Sequence, residues 1–355
     1  MTQRDEPDRG QPFIPTAAQI SDRFDEIRDV SNVVSGETQQ LSIAGHAIAV
    51  RHHSADSREM IGRAVSHLEA RSAADGDATE SVFRVGLGDR ILQPSSLGRA
   101  IPDLPEEAEG QQLFDMGSGS VGFEHAGLVW WDRESLDGGW WLRHEQPALF
   151  RLGAPMLSLF DLWGESIGLP TVHCAAIGSP EKMVVLGAPG GAGKSTLAVA
   201  GLQRGLSFCG DDYCMIQVGA DGESPRVHSL FATAKLDAFS QQLVPDSAEL
   251  ERLPGLADND RTVFDLRGHP GLLASGRVNS VITPVQVGGS APRLVEVAPL
   301  EALRSIAITS VFLMPSSRRL AWKTLSAMCR TVPCYRLEVG DDPTKAVDLL
   351  GEIAS

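Results

Sequence analysis

The stretch VVLGAPGGAGKSTLA, residues 184–198, consists of an apolar run, a glycine-rich turn and a helical pattern that follow one another directly. The apolar run bounded by glycine predicts a buried strand. After Lys194 the side chains of Leu197, Ala200 and Leu202 fall at helical spacing, which predicts a helix. A strand joined to a helix in this way is the unit from which α/β folds are built, so we expect an α/β fold organised around it.

The turn between this strand and this helix has the residue types of a phosphate-binding loop (a P-loop, or Walker A motif). Its glycines let successive backbone N–H groups surround a polyphosphate, and the helix N-terminus adds partial positive charge. Lys194 would reach the β- and γ-phosphates, and the Ser195 hydroxyl would coordinate Mg²⁺. We therefore predict ATP and Mg²⁺ as cofactors. The predicted nucleotide-binding residues are Gly190, Gly191, Ala192, Gly193, Lys194, Ser195 and Thr196.

One position departs from the usual motif. Ala188 stands six residues before the lysine, where the motif opens with glycine, and Gly187 lies one residue earlier. The alternative interpretation is an ordinary glycine-rich turn with a chance lysine. The strand before the turn and the helix after it favour the phosphate-binding loop.

A second chemical signal is RGLSFCGDDY, residues 204–213. Gly205 is predicted to end the helix, since glycine readily adopts the left-handed conformation, and residues 206–209 predict a short buried strand. Asp211 and Asp212 follow that strand, at the edge where open α/β sheets bind ligands. One carboxylate could hold the Mg²⁺ complex while the other accepts a proton from an attacking hydroxyl. A solvated Asp-Asp turn is the alternative.

Composition excludes several classes of protein. The chain of 355 residues can form one large core or two domains, and its net charge of -15 argues against a nucleic-acid partner. No apolar run approaches the roughly 18 residues that a membrane span requires, and the polar N-terminus lacks the apolar core of a signal peptide. Five cysteines without metal-ligand spacing predict reduced thiols. We therefore expect a cytoplasmic protein without a membrane partner.

The first half of the chain predicts mainly β structure. Residues 41–50 predict a strand or, alternatively, a hairpin centred near Gly45, and residues 57–74 predict an amphipathic helix with Ser57 as its N-cap. Four of the six tryptophans fall within residues 130–141. They are interpreted as half-buried sheet residues, and the alternative is a face on which a substrate stacks.

Residues 173–212 resemble the catalytic core of the HPr kinase/phosphorylase family. The elements that carry the resemblance are Val172-His173, Gly191-Ala192-Gly193-Lys194-Ser195, Arg204-Gly205 and Asp211-Asp212. Residues 331–338 are more loosely similar to the closing strand of HPr-kinase-like relatives. Phosphoenolpyruvate carboxykinases share only the Gly-Lys-Ser/Thr-Thr-Leu and Gly-Asp-Asp portions.

The resemblance implies a fold and a division of the chain. The implied fold is an α/β P-loop kinase core of the HPr kinase C-terminal domain type, behind an N-terminal α+β region. The expected division is a disordered tail over residues 1–20, an α+β substrate or partner region over 21–150 and the kinase domain over 151–355. Members of the family tend to be oligomers, so a homo-oligomer is also an expectation.

The resemblance also implies the chemistry. Lys194, Asp211, Asp212 and His173 would be catalytic, and Ser195 with Asp211 would hold the metal. The reaction would transfer the γ-phosphoryl group of ATP to a serine of a peptide or small protein. HPr itself is not implied, because Thr196 replaces the glutamate of HPr kinase and the family's basic loop is not recognisable after residue 213. The Gly-Lys-Ser-Thr-Leu sequence at the end of the loop is similar to the corresponding sequence of serine kinases that tailor lasso peptides.

Two other functions stay open at this point. A kinase for a small hydroxylated metabolite would need the same residues, and a non-catalytic nucleotide sensor would need the loop without a base. On its own, His173 is also compatible with a structural role. A phosphoryl-transfer site needs a further cation, for which Lys235, Arg261 and Arg267 are the candidates. Residues 246–260 predict a loop over the site, and Arg318 and Arg319 are predicted in a loop between two C-terminal helices.

Overall fold

The protein is a mixed α/β structure. The computed structural model describes residue 24 and residues 36–70, 80–87, 112–124, 127–142, 153–219, 223–253, 261–289 and 291–354. The tail predicted over residues 1–20 lies outside the described residues. None of the helices in these segments combines the length and the apolar character that a membrane crossing requires.

The first half of the chain forms a seven-stranded sheet in the order β1-β2-β3-β7-β6-β5-β4. The strands are β1 (Thr38–Ile43), β2 (His46–His52), β3 (Ser81–Leu87), β4 (Gln112–Asp115), β5 (Gly119–Glu124), β6 (Gly127–Asp132) and β7 (Asp137–Leu142). Strand β3 runs parallel to β2 and β7, and the remaining pairs are antiparallel. The predicted hairpin is confirmed, with Ala44 and Gly45 at its turn in the left-handed region.

The amphipathic helix predicted after this hairpin is wrong in its start and its length. Helix α1 (Ala55–Met60) is followed by α2 (Gly62–Val65) and a 3₁₀ turn (Ser66–Leu68). Its N-cap is Ser54, whose hydroxyl accepts from the Ser57 N–H at 3.1 Å. Ser57 is fully buried, and its hydroxyl donates to the Val85 carbonyl at 3.4 Å. A tertiary contact of this hydroxyl therefore replaces the predicted capping role.

The four clustered tryptophans belong to a buried core. Trp130 and Trp131 have no exposed surface, and Trp140 and Trp141 are 2% and 3% exposed. Helix α3 (Leu157–Ile167) packs on this sheet, and the Phe83 and Trp131 rings meet edge to face at 5.9 Å. Full burial is incompatible with a stacking face for a substrate, so that alternative is wrong for these four residues.

Truncation of Trp131 tests the importance of this core. The side chain is fully buried and its Nε1 donates to the Ser166 hydroxyl at 2.8 Å. We expect Trp131→Ala to lower the free energy of unfolding by about 3–5 kcal/mol, because a large cavity forms and the hydroxyl loses its partner. Urea denaturation measures this loss. Trp322→Ala is the matched control, because Trp322 is 49% exposed, and an equal loss there would contradict the account.

The second half forms a nine-stranded sheet beside a small three-stranded one. The path of the large sheet is β11-β9-β10-β17-β13-β12-β8, and β19 pairs with both β17 and β18. Its strands are β8 (Thr171–His173), β9 (Ala175–Ser179), β10 (Lys182–Leu186), β11 (Ser207–Gly210), β12 (Tyr213–Gln217), β13 (Arg226–Ser229), β17 (Ser275–Gln286), β18 (Arg293–Glu296) and β19 (Cys334–Val339). The small sheet has the order β14-β16-β15 and contains β14 (Thr233–Asp237), β15 (Glu251–Arg252) and β16 (Arg261–Asp265).

Among the described residues of this half, five helices accompany these sheets. They are α4 (Lys194–Gln203), α5 (Ala238–Leu243), α6 (Pro299–Leu313), α7 (Arg318–Thr331) and α8 (Pro343–Ala354). Helices α4 and α8 pack together, as do α6 and α7. Residues 245–249 form a 3₁₀ turn and 251–252 a short strand, so the loop predicted over 246–260 is wrong there, and 254–260 lie outside the described residues.

Arg318 and Arg319 begin α7 and do not lie in a loop as predicted. The buried Asp161 carboxylate in α3 accepts hydrogen bonds from the Ser316 N–H, at 3.0 Å, and from the Ser317 hydroxyl. This long-range contact fixes the chain just before the helix. Sequence spacing alone could not indicate it.

Strand β10 lies in the interior of the large sheet, between β9 and β17. Strand β17 runs parallel to β10, and β19 runs parallel to β17. The carboxyl ends of these three strands therefore meet at one edge, which is the edge where α/β sheets bind ligands.

Candidate functional site

A glycine-rich turn, residues 187–193, connects β10 to α4. Gly191 and Gly193 have φ values of +79° and +93°, which glycine adopts at little cost. A Cβ added to Gly190 or Gly191 would meet no atom within 4 Å, so this part of the turn borders open space. The first N–H groups of a helix have no intrahelical acceptor, and those of α4 start at this turn. The turn can therefore surround an anion.

The packing at the start of the turn explains why alanine at position 188 replaces the glycine of the usual motif. A Cβ on Gly187 would lie 2.5 Å from the Ile306 side chain of α6, so glycine is required there for close packing. Ala188 is fully buried and is not among the described residues with positive φ. Alanine therefore fits at 188 without backbone strain.

A cavity of about 650 Å³ opens over the turn. The turn and the start of α4 form its floor. The β14–α5 segment lines one side, and Gln286, Val339, Gly340 and Asp341 line another at the carboxyl ends of β17 and β19. The cavity is large enough for a small-molecule ligand.

Lys194 lies at the base of this cavity and is only 5% exposed. Its Nζ donates to the carbonyls of Ala188, at 2.8 Å, and Pro189, at 3.3 Å. Burial lowers the pKa of Lys194, and the nearby carboxylates of Asp212 and Asp211 oppose that shift. An ammonium held among buried carbonyls is positioned to bind an anion that enters the cavity.

Asp211 lies on the same edge, because β11 and β10 are both antiparallel to β9 and so run in the same direction. Its Oδ2 accepts from the Lys235 N–H at 3.1 Å, whereas its Oδ1 is buried without a hydrogen-bond partner. Burial, and then the charge of Asp212, raise the pKa of Asp211 to about 7, although the Lys235 N–H and the Ser195 side chain oppose the rise. One oxygen of Asp211 is therefore free for a cation.

Asp212 has a different environment although it is the next residue. Its Oδ2 lies 3.3 Å from Lys235 Nζ, and its Oδ1 lies 3.6 Å from His173 Nε2. Burial opposes ionisation, but His173 and Lys235 outweigh it and hold the pKa of Asp212 below its ordinary value. The residue has φ of +66°, a conformation that aspartate tolerates better than most residues. Asp212 is thus an ionised carboxylate that lines the cavity.

The residues present fit a magnesium ion that is shared with a phosphate ligand. Mg²⁺ prefers oxygen ligands and in phosphate sites uses one or two carboxylates with phosphate oxygens and water. The Ser195 hydroxyl and the unpartnered Asp211 Oδ1 supply such oxygens. Within the described segments no group of three histidine, cysteine or acidic side chains forms a metal cluster.

The structure brings most of the predicted site residues together. Lys194, Ser195, Asp212 and His173 line the cavity, and Asp211 lies behind them. The Thr196 hydroxyl lies 3.0 Å from the Ser240 hydroxyl in α5.

Two of the three candidate cations line the cavity. Lys235 is paired with Asp212, and Arg261 also belongs to the lining. Arg267 pairs with Asp265 at 2.8 Å and is not part of the lining, so it is excluded as the additional cation.

Sequence reasoning missed several cavity residues, including Gln286, Asp341, Asp237 and Phe239. Gln286 and Asp341 reach the cavity only because β17 and β19 align with β10. Asp237 did carry a signal, since an aspartate ahead of a short helical pattern is a common N-cap. Its Oδ1 accepts from the Ser240 N–H at 2.7 Å.

The raised pKa of Asp211 makes stability depend on pH. The folded protein releases this proton at a higher pH than the unfolded chain, so the free energy of unfolding falls as pH rises from the unfolded pKa towards the folded one. We expect Asp211→Asn to raise the free energy of unfolding at pH 8, by about 1.4 kcal/mol for each unit by which folding raises the pKa, and to change it little at pH 4. Urea denaturation without Mg²⁺ measures both, and equal effects at the two pH values would contradict the assignment.

Comparisons with known proteins add little to this geometry. No protein-family model matches the chain, and no curated protein is detectably similar to it in sequence. Among solved structures, the Hpr(Ser) kinase/phosphatase from Coxiella burnetii aligns with 51% of this chain and 84% of its own chain, at 11% identity and a TM-score of 0.29. A TM-score this low carries no argument about function, so the function is argued from the residues of the cavity.

Proposed function

We propose that the protein is an ATP-dependent phosphotransferase that transfers the γ-phosphoryl group to a hydroxyl. The observation that carries the proposal is the Asp211–Asp212 pair beside Lys194. One carboxyl group has an oxygen without a hydrogen-bond partner, and the other is held between Lys235 and His173, so the two are suited to different chemical tasks. A sensor that only binds a nucleotide would not need such a pair.

The phosphates of the nucleotide would lie over the glycine-rich turn. The backbone of residues 190–196 would surround them, and Lys194 would contact the β- and γ-phosphates. Ser195 and Asp211 would hold Mg²⁺, which when bound offsets negative charge on the transferring group. Lys235 and Arg261 add positive charge to the lining of the cavity.

Asp212 would act on the acceptor. Its carboxylate orients the attacking hydroxyl and accepts its proton as the new oxygen–phosphorus bond forms and the bond to the β-phosphate oxygen breaks, which releases ADP. His173 and Lys235 are positioning residues, because they hold the two oxygens of Asp212. The low pKa of Asp212 keeps its carboxylate unprotonated at neutral pH.

The finer assignments are also part of the proposal. The core would be a P-loop kinase of the HPr kinase C-terminal domain type over residues 151–355, with residues 21–150 as the substrate or partner region. The acceptor would be a serine of a peptide or small protein, and the protein would act in the cytoplasm as a homo-oligomer.

Following the phosphate tests this proposal. Purified protein is incubated with γ-labelled ATP, Mg²⁺ and a size-fractionated extract of its own cells. Label on a peptide or protein fraction that resists hydroxylamine and is lost in strong base supports the serine acceptor. Label on a compound of metabolite size supports a small-molecule kinase instead. ATP binding without transfer to any fraction would contradict the phosphotransferase.

A further inference from the structure

Phe239 is an exposed aromatic side chain within the cavity. Its exposed fraction is 68%, and it is the one phenylalanine, tyrosine or tryptophan among the described residues that line the cavity. Leu243 lies one helical turn later, on the same face of α5, and also lines the cavity. Together they form an apolar patch in a cavity whose other side chains include Lys194, Asp212 and Lys235.

Hydrogen bonds from the N-cap and from two middle residues of α5 fix this patch relative to the glycine-rich turn. Asp237 caps the helix, and the Ser240 hydroxyl lies 3.0 Å from that of Thr196, the third residue of α4. On the other side Gln241 Nε2 donates to the Thr262 hydroxyl of β16 at 3.1 Å. Phe239 is therefore held beside the start of α4 and not on a free loop.

The position of this apolar patch suits one part of a bound nucleotide, its base. Lys194 and the Asp pair define where the γ-phosphate would lie. Phe239 follows Lys235 along β14 and α5, and the strand residues from Lys235 to Asp237 alone span roughly 7 Å. Ser240, the next residue, contacts Thr196, which lies two residues beyond Lys194 along α4, so the patch borders the phosphate site on the α4 side. A nucleobase is the planar, apolar-faced part of a nucleotide, and every base can stack on an aromatic ring.

We infer that Phe239 is the stacking platform for the base of the bound nucleotide, with Leu243 beside it. This inference rests on the proposed nucleotide-dependent function. Stacking on a single ring does not distinguish purines, so the contact supplies affinity more than a choice between ATP and GTP.

Calorimetric titration with two probes tests this platform. MgATP carries a base, whereas magnesium tripolyphosphate presents phosphates alone. In the wild-type protein we expect ATP to bind more tightly than tripolyphosphate. Base stacking contributes about 1–3 kcal/mol, so Phe239→Ala should weaken ATP binding by between about fivefold and 150-fold. Tripolyphosphate affinity should not change, and Phe239→Trp should retain ATP affinity.

Phe312→Ala is the matched control, because Phe312 is 76% exposed on α6 outside the cavity lining. It should leave both affinities unchanged. Equal ATP affinity of Phe239→Ala and wild type would overturn the inference and favour a contact of this ring with the acceptor. Equal weakening of both probes would also overturn it, because the ring would then act through the turn. A wild-type protein that binds neither probe would instead overturn the proposed function itself.

Discussion

Asp212→Asn should lower phosphoryl transfer by about 10²–10⁴-fold while ATP binding largely persists. The amide has the shape of the carboxylate but cannot accept the proton of an attacking hydroxyl. Asparagine also tolerates the left-handed backbone found at φ of +66°, so the fold should be retained. Initial rates of label transfer and a calorimetric titration with MgATP measure the two quantities.

Asp348→Asn is the matched control for this variant. Asp348 lies on the exposed face of α8, where it pairs with Arg204 at 3.1 Å, and both side chains are about half exposed. The same chemical change there should leave transfer unchanged. Unchanged transfer by Asp212→Asn would remove its assignment as the base.

Lys194→Met should reduce transfer by about 10³-fold or more and should also weaken ATP binding. The variant keeps the length of the side chain but removes the charge that would face the β- and γ-phosphates. Removal of a buried ammonium also relieves its desolvation cost, which offsets the two lost hydrogen bonds to Ala188 and Pro189.

Lys345→Met provides the comparison for the lysine variant. The Lys345 side chain is 67% exposed on α8 and lies 3.8 Å from Asp342. Transfer and ATP affinity should both remain at wild-type values. If Lys194→Met bound ATP as tightly as this control, the phosphates would not lie over the glycine-rich turn.

The elements closest to the site could be predicted because their signals are local. The glycines before Lys194 are required by the backbone conformation of the turn itself. The positive φ of Gly205 agrees with its predicted role at the end of α4. The strand before Asp211 could be predicted from its own apolar residues alone. The direction of that strand relative to β10 then brought the carboxyl groups to the predicted edge of the sheet.

The remaining parts of the site depend on contacts between distant segments. Gln286 enters the cavity because β17 pairs in parallel with β10, nearly one hundred positions earlier in the chain. Phe239 depends on the contact of Ser240 with Thr196. Neither contact has a periodic pattern in the sequence. The prediction that Ser57 caps a helix was wrong for the same reason, because a hydrogen bond to a distant part of the chain determines its role.

The first sheet and the second half of the chain share one hydrophobic cluster. Val50 and Trp131 belong to it, and so do Phe160, Met215 and Phe231. Side chains from before and after position 150 therefore pack together in one hydrophobic cluster. The assignment of residues 21–150 as a region that recognises the substrate stays a prediction.

The central claim is that the cavity over residues 187–196 holds the phosphates of a nucleotide with its γ-phosphate beside the Asp pair. A crystal structure with Mg²⁺ and the β,γ-imido analogue of ATP tests it most directly. We expect the γ-phosphate to contact Lys194 and to lie near Asp212, with the metal on Ser195 and Asp211. A nucleotide bound elsewhere, or phosphates that do not touch the turn, would contradict the account.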